Sequence, residues 1–413
     1  MLRLSWLTLI RQPARSALAI LGVAAVGALL FDMLLLSRGL VLSFRDLLDR
    51  AGFDIRVLAT DAPPFSGPLL TDATALNQAL SRLPEVEAVL QLRLRDAEIA
   101  GDTTGRAPIA SAVRDGSARP GRDAGVQFIG VDPQIRSMWT MVSGRDLPRT
   151  PGPEPALVIN RNLAQDTSLA PGSRVALRCG GEDNPLPAVT FVVSGVVDFP
   201  FDDVRARTAA GTLRDAATLC GGEDRDEAEM LLVRSRPGLG ASTTAAAIQA
   251  AHPGLYVVTN EDLVERFSRV EFSYFRQISS VLATVTLFFG FLLIGVLLTV
   301  SVNQRLGEIA ALRALGLSRW RVMGGILIES VLLVFAGGAL AVPLGALLSL
   351  RLDSILRAMP GVPADLHFFV FEPRALVLHV ALLTAASLAA AAYPMRIVAT
   401  LPIAATLRRE VVS

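Results

Sequence analysis

Residues 303–321 read NQRLGEIAALRALGLSRWR and lie between two long apolar runs, residues 278–302 and 322–350. A stretch this short between two runs of spanning length is a loop at one face of a membrane. Arg305, Arg313, Arg319 and Arg321 give the loop a positive excess, which places it on the cytoplasmic side. Ile309, Leu312 and Leu315 recur near helical spacing, and Gly316 follows them as a C-terminal stop. The stretch reads as a short amphipathic helix in the cytoplasmic interface, closed by a glycine turn and Trp320. A bare juxtamembrane turn that anchors two spans is the simpler alternative.

Composition supports a membrane protein. The apolar fraction of the 413 residues is 52%, above the ~45–50% usual for globular chains, more than an ordinary soluble core absorbs. The net charge of +1 carries no nucleic-acid footprint. The positive side chains include no lysine. That excludes a Walker A loop, whose lysine reaches the nucleotide phosphates, so transport powered by this chain alone is not expected. Cys179 and Cys220 both fall in the segment read as extracytoplasmic. A disulfide in an oxidising compartment and two unpaired thiols both fit, since sequence supplies no geometry.

Working outward, residues 1–15 carry Arg3, Arg11 and Arg15 without an acid and read as an amphipathic segment on the inner face. Residues 16–39 form the first span. A secretory signal is the rival, but the run is long for a signal core and no small-residue cleavage site follows it. Residues 40–276 hold stalks and a soluble domain. Two strand–helix–strand halves, at about 52–100 and 226–260, each place a proline, Pro84 or Pro253, between helix and second strand. Between them residues 126–220 alternate short β-like runs with glycine and proline turns, as an inserted β-rich subdomain does. Residues 101–125 match no phosphate-loop spacing and read as a flexible connection.

The further spans are 277–302, 322–350 and 375–395, with a cytoplasmic helix at 303–321, an outer loop at 351–374 and a tail at 396–413. The first of these spans is approached through the aromatics Phe267, Phe272, Tyr274 and Phe275, as at a membrane interface. Arginines in the tail place both termini inside. The expected fold is thus an α+β membrane protein, with four transmembrane helices and a large extracytoplasmic α/β plus β domain inserted between the first two.

No catalytic constellation emerges. His252, His367 and His379 fall in three segments, without a paired-cysteine or HExxH metal spacing. Two intramembrane acids remain. Asp32 reads as lying near the outer interface and Arg38, hydrated, with a buried functional role as the alternative. Glu329, about two turns into the third span, would cost about 2.5–3.5 kcal/mol unpaired at a helix centre. It is expected to snorkel inward or to pair with an arginine of the 303–321 loop, such as Arg313 or Arg321.

GEIAALRALGLSRWRV at 307–322, followed by ILIESVLLVFAGGALAVPLG at 326–345, resembles the signature of FtsX-like ABC-transporter permeases, the group of macrolide-exporting and lipoprotein-releasing systems. The ending AAYPMRIVATLPIAATLRRE at 391–410 resembles that family's closing helix. FIGVDP, SGRDLP, LVINRNLA, PGSRVAL and FVVSGVV, in order, resemble its periplasmic core domain. The resemblance implies that residues 303–321 are a coupling helix docking on a cytoplasmic ATPase, with Glu308, Arg313, Ala314, Leu315, Gly316 and Arg319 at the contact. It implies a bacterial inner-membrane permease, one of two identical or homologous subunits working with an ABC ATPase dimer. This chain would bind no cofactor; ATP and Mg would belong to the ATPase. A periplasmic adaptor, chaperone or substrate-binding protein would be a further partner, and lipid, lipoprotein, peptide or drug the cargo. An FtsX-type transmitter that regulates a periplasmic protein without transport is the alternative, and a receptor without an ATPase a third reading.

Overall fold

The structure is a computed structural model that describes residues 13–62, 67–100, 125–150, 152–180, 186–221, 225–269 and 271–400. The start of the N-terminal amphipathic segment, the connection at 101–124 and the tail from 401 lie outside the described residues.

Apolar side chains follow one another with little interruption from residue 16 to 36, and the chain answers with α1 (Pro13–Arg50), 38 residues in one helix. At 1.5 Å per residue it is about 57 Å long, nearly twice the ~30 Å hydrocarbon core of a bilayer. The first span and the segment after it are therefore a single rod. Phe44–Phe267 with Arg357–Leu366 forms one compact unit, and the remaining segments form a second, helical one.

In the first unit, β1 (Ile55–Leu58), β2 (Leu70–Thr71), α2 (Ala73–Ser81) and β3 (Val86–Ile99) are followed by β4 (Gly125–Val131), β5 (Thr140–Gly144) and β6 (Ala156–Asn160). Next come α3 (Arg161–Thr167), β7 (Arg174–Arg178), β8 (Val189–Asp198), β9 (Thr208–Thr212) and α4 (Leu213–Cys220). The unit ends with β10 (Glu227–Ala228), β11 (Met230–Ser235), α5 (Ala241–Ala251), β12 (Tyr256–Thr259) and α6 (Asn260–Arg269). The strand–helix–strand segments interleave, giving the antiparallel order β12-β1-β11-β3. Leu80 of α2 and Ile248 of α5 pack with Ile55, Val57, Leu231 and Val233, all buried.

The β-rich insert is not a separate sheet. Strand β3 has 14 residues, about 46 Å at the usual rise. Its first half pairs with β11 and its second half with β4. From there β4-β9-β6-β8 continue, and β7 bonds both β8 and the end of β3, which closes a ring through β3. Closure removes the exposed edges that an open insert would carry. Phe128, Leu157, Ile159, Phe191 and Val193, all buried, fill the interior, as side chains do in a narrow barrel. Cys179, just after β7, is joined to Cys220 at the end of α4, across a separation of 41 residues.

The helical unit adds α7 (Glu271–Asn303), α8 (Leu306–Ala314), α9 (Arg319–Arg357) and α10 (Pro373–Thr400). With α1, the helices α7, α9 and α10 are long and apolar enough to cross a membrane. On α9 the buried positions Gly337, Ala341, Gly345 and Ser349 recur every fourth residue and form one face. That face meets α1: a Cβ added at Gly337 would stand 2.6 Å from the Cβ of Val23, and one at Gly345 would stand 3.1 Å from the carbonyl oxygen of Ala28. Small residues at this spacing let two backbones approach.

Replacing Cys179 and Cys220 together by alanine is expected to cost about 2–4 kcal/mol, the entropy that closing a loop of this length removes from the unfolded chain. Chemical denaturation of oxidised protein against the double variant measures it, and equal midpoints would refute a stabilising bridge.

Candidate functional site

The loop between α7 and α9 is built by its termini. Helix α8 ends in a two-bond cap: the amide of Leu317 donates to the carbonyl of Leu312 at 3.2 Å and that of Gly316 to Arg313 at 3.1 Å. This 6→1 and 5→2 pair needs a left-handed residue after the helix, and Gly316 supplies it with φ of +94°. Apolar residues anchor the loop from within. Ile309 is buried with Val302, Val322, Ile326 and Val398, and Leu306 and Leu317 pack on the same cluster. Arg313 donates through Nη1 to the carbonyl of Val398 at 3.3 Å, tying the end of α8 to α10.

The outer face is different from the expected stripe. Ile309, Leu312 and Leu315 do not share one side: Ile309 is buried, whereas Leu315 is 81% and Leu312 43% exposed. A 3.6-residue period finds apolar positions but does not say which are covered by their own chain. Trp320, 70% exposed, has the Arg319 guanidinium over its ring at 5.8 Å. Glu308, Ala314, Gly316 and Arg319 are exposed beside them, and Arg313 is half-buried. The candidate site is this short helix, with its apolar and aromatic outer face and its anchored inner face.

Glu329 has a partner among the arginines of the 303–321 loop. Arg305 Nη1 lies 3.3 Å from its Oε2, and Ser301 Oγ donates to its Oε1 at 3.2 Å. Arg305 is the residue that precedes α8, whereas Arg313, one of the two arginines named for the pairing, points to α10. Asp32 also departs from its hydrated reading. It is 0% exposed, and its Oδ1 accepts from Ser349 Oγ of α9 at 2.6 Å. Arg38 pairs with Glu372 at 3.5 Å.

The histidines stay apart in role. His252 caps α5, His367 Nδ1 meets Asp353 Oδ2 at 2.9 Å, and His379 is buried, its ring 5.3 Å from that of Phe31. Among the described residues no group of His, Cys, Asp or Glu is placed to hold a metal.

Two polar residues escaped the sequence reading. Asp202 follows β8, and its carboxylate accepts from Thr208 Oγ1 at 2.7 Å and from Asn160 Nδ2 at 2.5 Å. Burial pushes it up to about 6 against those bonds. Arg56 on β1 is 6% exposed and donates from Nη1 to Asn260 Oδ1 at 2.5 Å. Neither lies in a recognisable motif: Arg56 meets Asn260, 204 positions away, and half-buried Asp202 meets Asn160, 42 positions away.

Residues 16–251 match the family described as MacB-like periplasmic core domain, and residues 280–403 match the FtsX-like permease C-terminal family. Among solved structures, the chain is similar to the periplasmic region of MacB from Actinobacillus actinomycetemcomitans, with 9% identity and a TM-score of 0.37 over 52% of this chain and 92% of that one. It is also similar to the extracellular domain of the noncanonic ABC-type transporter YknZ from Gram-positive bacteria, with 11% identity and a TM-score of 0.33 over 50% of this chain and 98% of that one. No curated protein matches.

A double-mutant cycle with Glu329→Gln and Arg305→Gln should give a coupling energy of about 1–3 kcal/mol in unfolding from detergent, and additive effects would remove the pair. For Asp202 the folded acid, near 6, holds its proton over a range in which the unfolded acid, near ~3.9, has lost it. Stability from this group is therefore full below about pH 4 and declines by on the order of 1–2 kcal/mol as pH rises through 6, allowing for partial exposure. Thermal midpoints of wild type relative to Asp202→Asn should fall between pH 4 and 7; parallel profiles would refute the shift.

Proposed function

This chain belongs to the FtsX-like permeases that carry a MacB-like periplasmic core domain, and we propose that it is a membrane subunit coupling ATP hydrolysis to motion of its external domain. Permeases of this family work with cytoplasmic ABC ATPases in the inner membrane. The observation that carries the coupling role is the two-faced α8. Its inner side is pinned by Ile309, Arg313 and the Gly316 cap, while Leu312 and Leu315 remain uncovered at its outer side, as does Trp320 at the start of α9. A short helix that is fixed behind and apolar in front suits docking into a groove on another protein.

In this reading the docked surface includes Glu308, Ala314, Leu315 and Arg319, with Arg313 and Gly316 holding its shape. An ATPase dimer binds ATP and Mg, and this chain binds neither. A second permease, identical or homologous, completes the assembly, with four spans per chain and both termini in the cytoplasm. The first span supports the output side, since α1 leaves the helical unit and enters the external one without a break. Packed helices move as rigid bodies, so motion at α8 has a stiff path outward. Export or extraction of a lipid, lipoprotein, peptide or drug at the outer face, with a periplasmic adaptor or chaperone where cargo must be handed on, is the work such motion would do.

The test is purification in mild detergent with an ATP analogue, followed by ATPase assays of whatever complex is recovered. A stoichiometric cytoplasmic ATPase is expected. Gly316→Pro, which cannot take a positive φ, and Arg313→Glu should reduce permease-stimulated hydrolysis to the basal rate while leaving membrane insertion intact. A chain recovered alone, or variants with full stimulation, would overturn the coupling role.

A further inference from the structure

The external unit contains a cavity of about 310 Å³ whose walls are almost wholly apolar. It is formed where β1, β3 and β11 turn one face toward α1 and α6. Leu92 and Leu232 come from the sheet, Leu48 from α1, and Phe267 from α6. The rings of Phe44 and Phe267 meet at 4.8 Å, tilted by 52°; they are the first and last residues of the unit's main segment. The volume falls at the lower end of the ~300–1,000 Å³ typical of small-molecule sites. It suits one chain or ring system, not a protein element.

One cation reaches this apolar space. Arg56 lines the cavity while being 94% buried by its own domain, the complement of its 6% exposure. Its hydrogen-bond partner is the neutral amide of Asn260, and among the described residues it forms no ion pair. Asn260 in turn donates to Asp49 at 3.1 Å, so the carboxylate is one residue removed. Burial lowers the guanidinium to about 10, with Asp49 opposing, which leaves it charged at neutral pH. The other ionisable wall residue, Asp202, has both oxygens engaged by Thr208 and Asn160. A buried cation without a bonded anion is costly, and an anion brought by a ligand would relieve that cost.

We propose that this cavity binds a single long acyl chain carrying an anionic head, with the chain against Leu92, Leu232 and Phe267 and the head on Arg56. The apolar walls select the chain, and the one cation selects acid over alcohol. This goes beyond the permease reading and does not rest on it, because every wall residue belongs to the external unit and none to α8. A free fatty acid and an anionic lipid share the chemistry.

The experiment uses the full chain in phosphatidylcholine nanodiscs with palmitic acid bearing a photoreactive diazirine, and maps the adducts by peptide mass spectrometry. Adducts are expected on the β3 and β11 peptides that contain Leu92 and Leu232. Unlabelled palmitic acid should compete about tenfold better than hexadecanol, as the loss of one charge-assisted hydrogen bond dictates. Arg56→Gln should lower labelling by a similar factor. Leu94→Trp, which fills the cavity from a half-buried position, should abolish it and keeps the test valid if the arginine variant does not fold. A parallel arm carries the diazirine on an acyl chain of phosphatidylglycerol: labelling by both probes assigns any anionic acyl chain, and by the free acid alone a fatty acid. Adducts confined to the spanning helices, equal competition by acid and alcohol, or full labelling of Leu94→Trp would overturn the site.

Discussion

The helical unit depends on the close approach of α1 and α9. Lipid tails are as apolar as leucine, so helices in a bilayer gain nothing from hiding apolar surface against each other; they associate through packing and interhelical hydrogen bonds. Gly337 and Gly345 leave no side chain where Val23 and Ala28 must fit, and Gly27 leaves none where the Ala341 methyl must fit. Only that proximity lets Ser349 reach Asp32 at 2.6 Å. A bulkier residue at Gly337 would separate the backbones and strand a buried carboxylate in the same step. The contact and the hydrogen bond are one feature.

The same helix is fixed again toward its other end, where Glu329 meets Ser301 of α7 and Arg305 just before α8. Twenty residues separate Glu329 from Ser349, about 30 Å along a helix. Polar bonds to α7 near one end and to α1 near the other make α9 a strut with few ways to move alone. Between α7 and α9 sits α8, whose inner residues pack on Val302 of α7, Val322 of α9 and Val398 of α10. A load applied to Leu312, Leu315 or Trp320 therefore reaches three spanning helices through one small apolar cluster. That geometry is why a helix of nine residues suffices as the input of the proposed mechanism.

What the sequence made legible was local. The spans are continuous apolar runs, and Gly316 is a glycine for a backbone reason that any observer of helix ends can state. What stayed hidden was pairing at a distance. Asp32 passes for hydrated because Ser349, its partner, is 317 positions away. Glu329 is legible as the partner of a loop arginine, but which arginine is not, and the folded loop brings Arg305 to it. Ring closure through β3 rests on two paired positions, Glu98 with Arg178 and Ile99 with Leu177, and no local pattern announces it. Arg56 and Asp202 sit in ordinary strand and turn sequence, and only the folded domain buries the one and half-buries the other.

Part of the outer loop belongs to the external unit. The sequence suggested two connections, one on either side of the soluble domain. Residues 357–366 instead belong to the external unit, so the chain passes between the units at 43/44, 267/268, 356/357 and 366/367. Specific bonds retain the loop: the amide of Gly361 donates to Asp203 Oδ2 at 2.6 Å, and that of Ala364 to the carbonyl of Asp202 at 2.8 Å. The segment between α9 and α10 is thus fastened to the turn after β8, where Asp202 and Asp203 stand, by backbone donors that no local pattern in 351–374 announces.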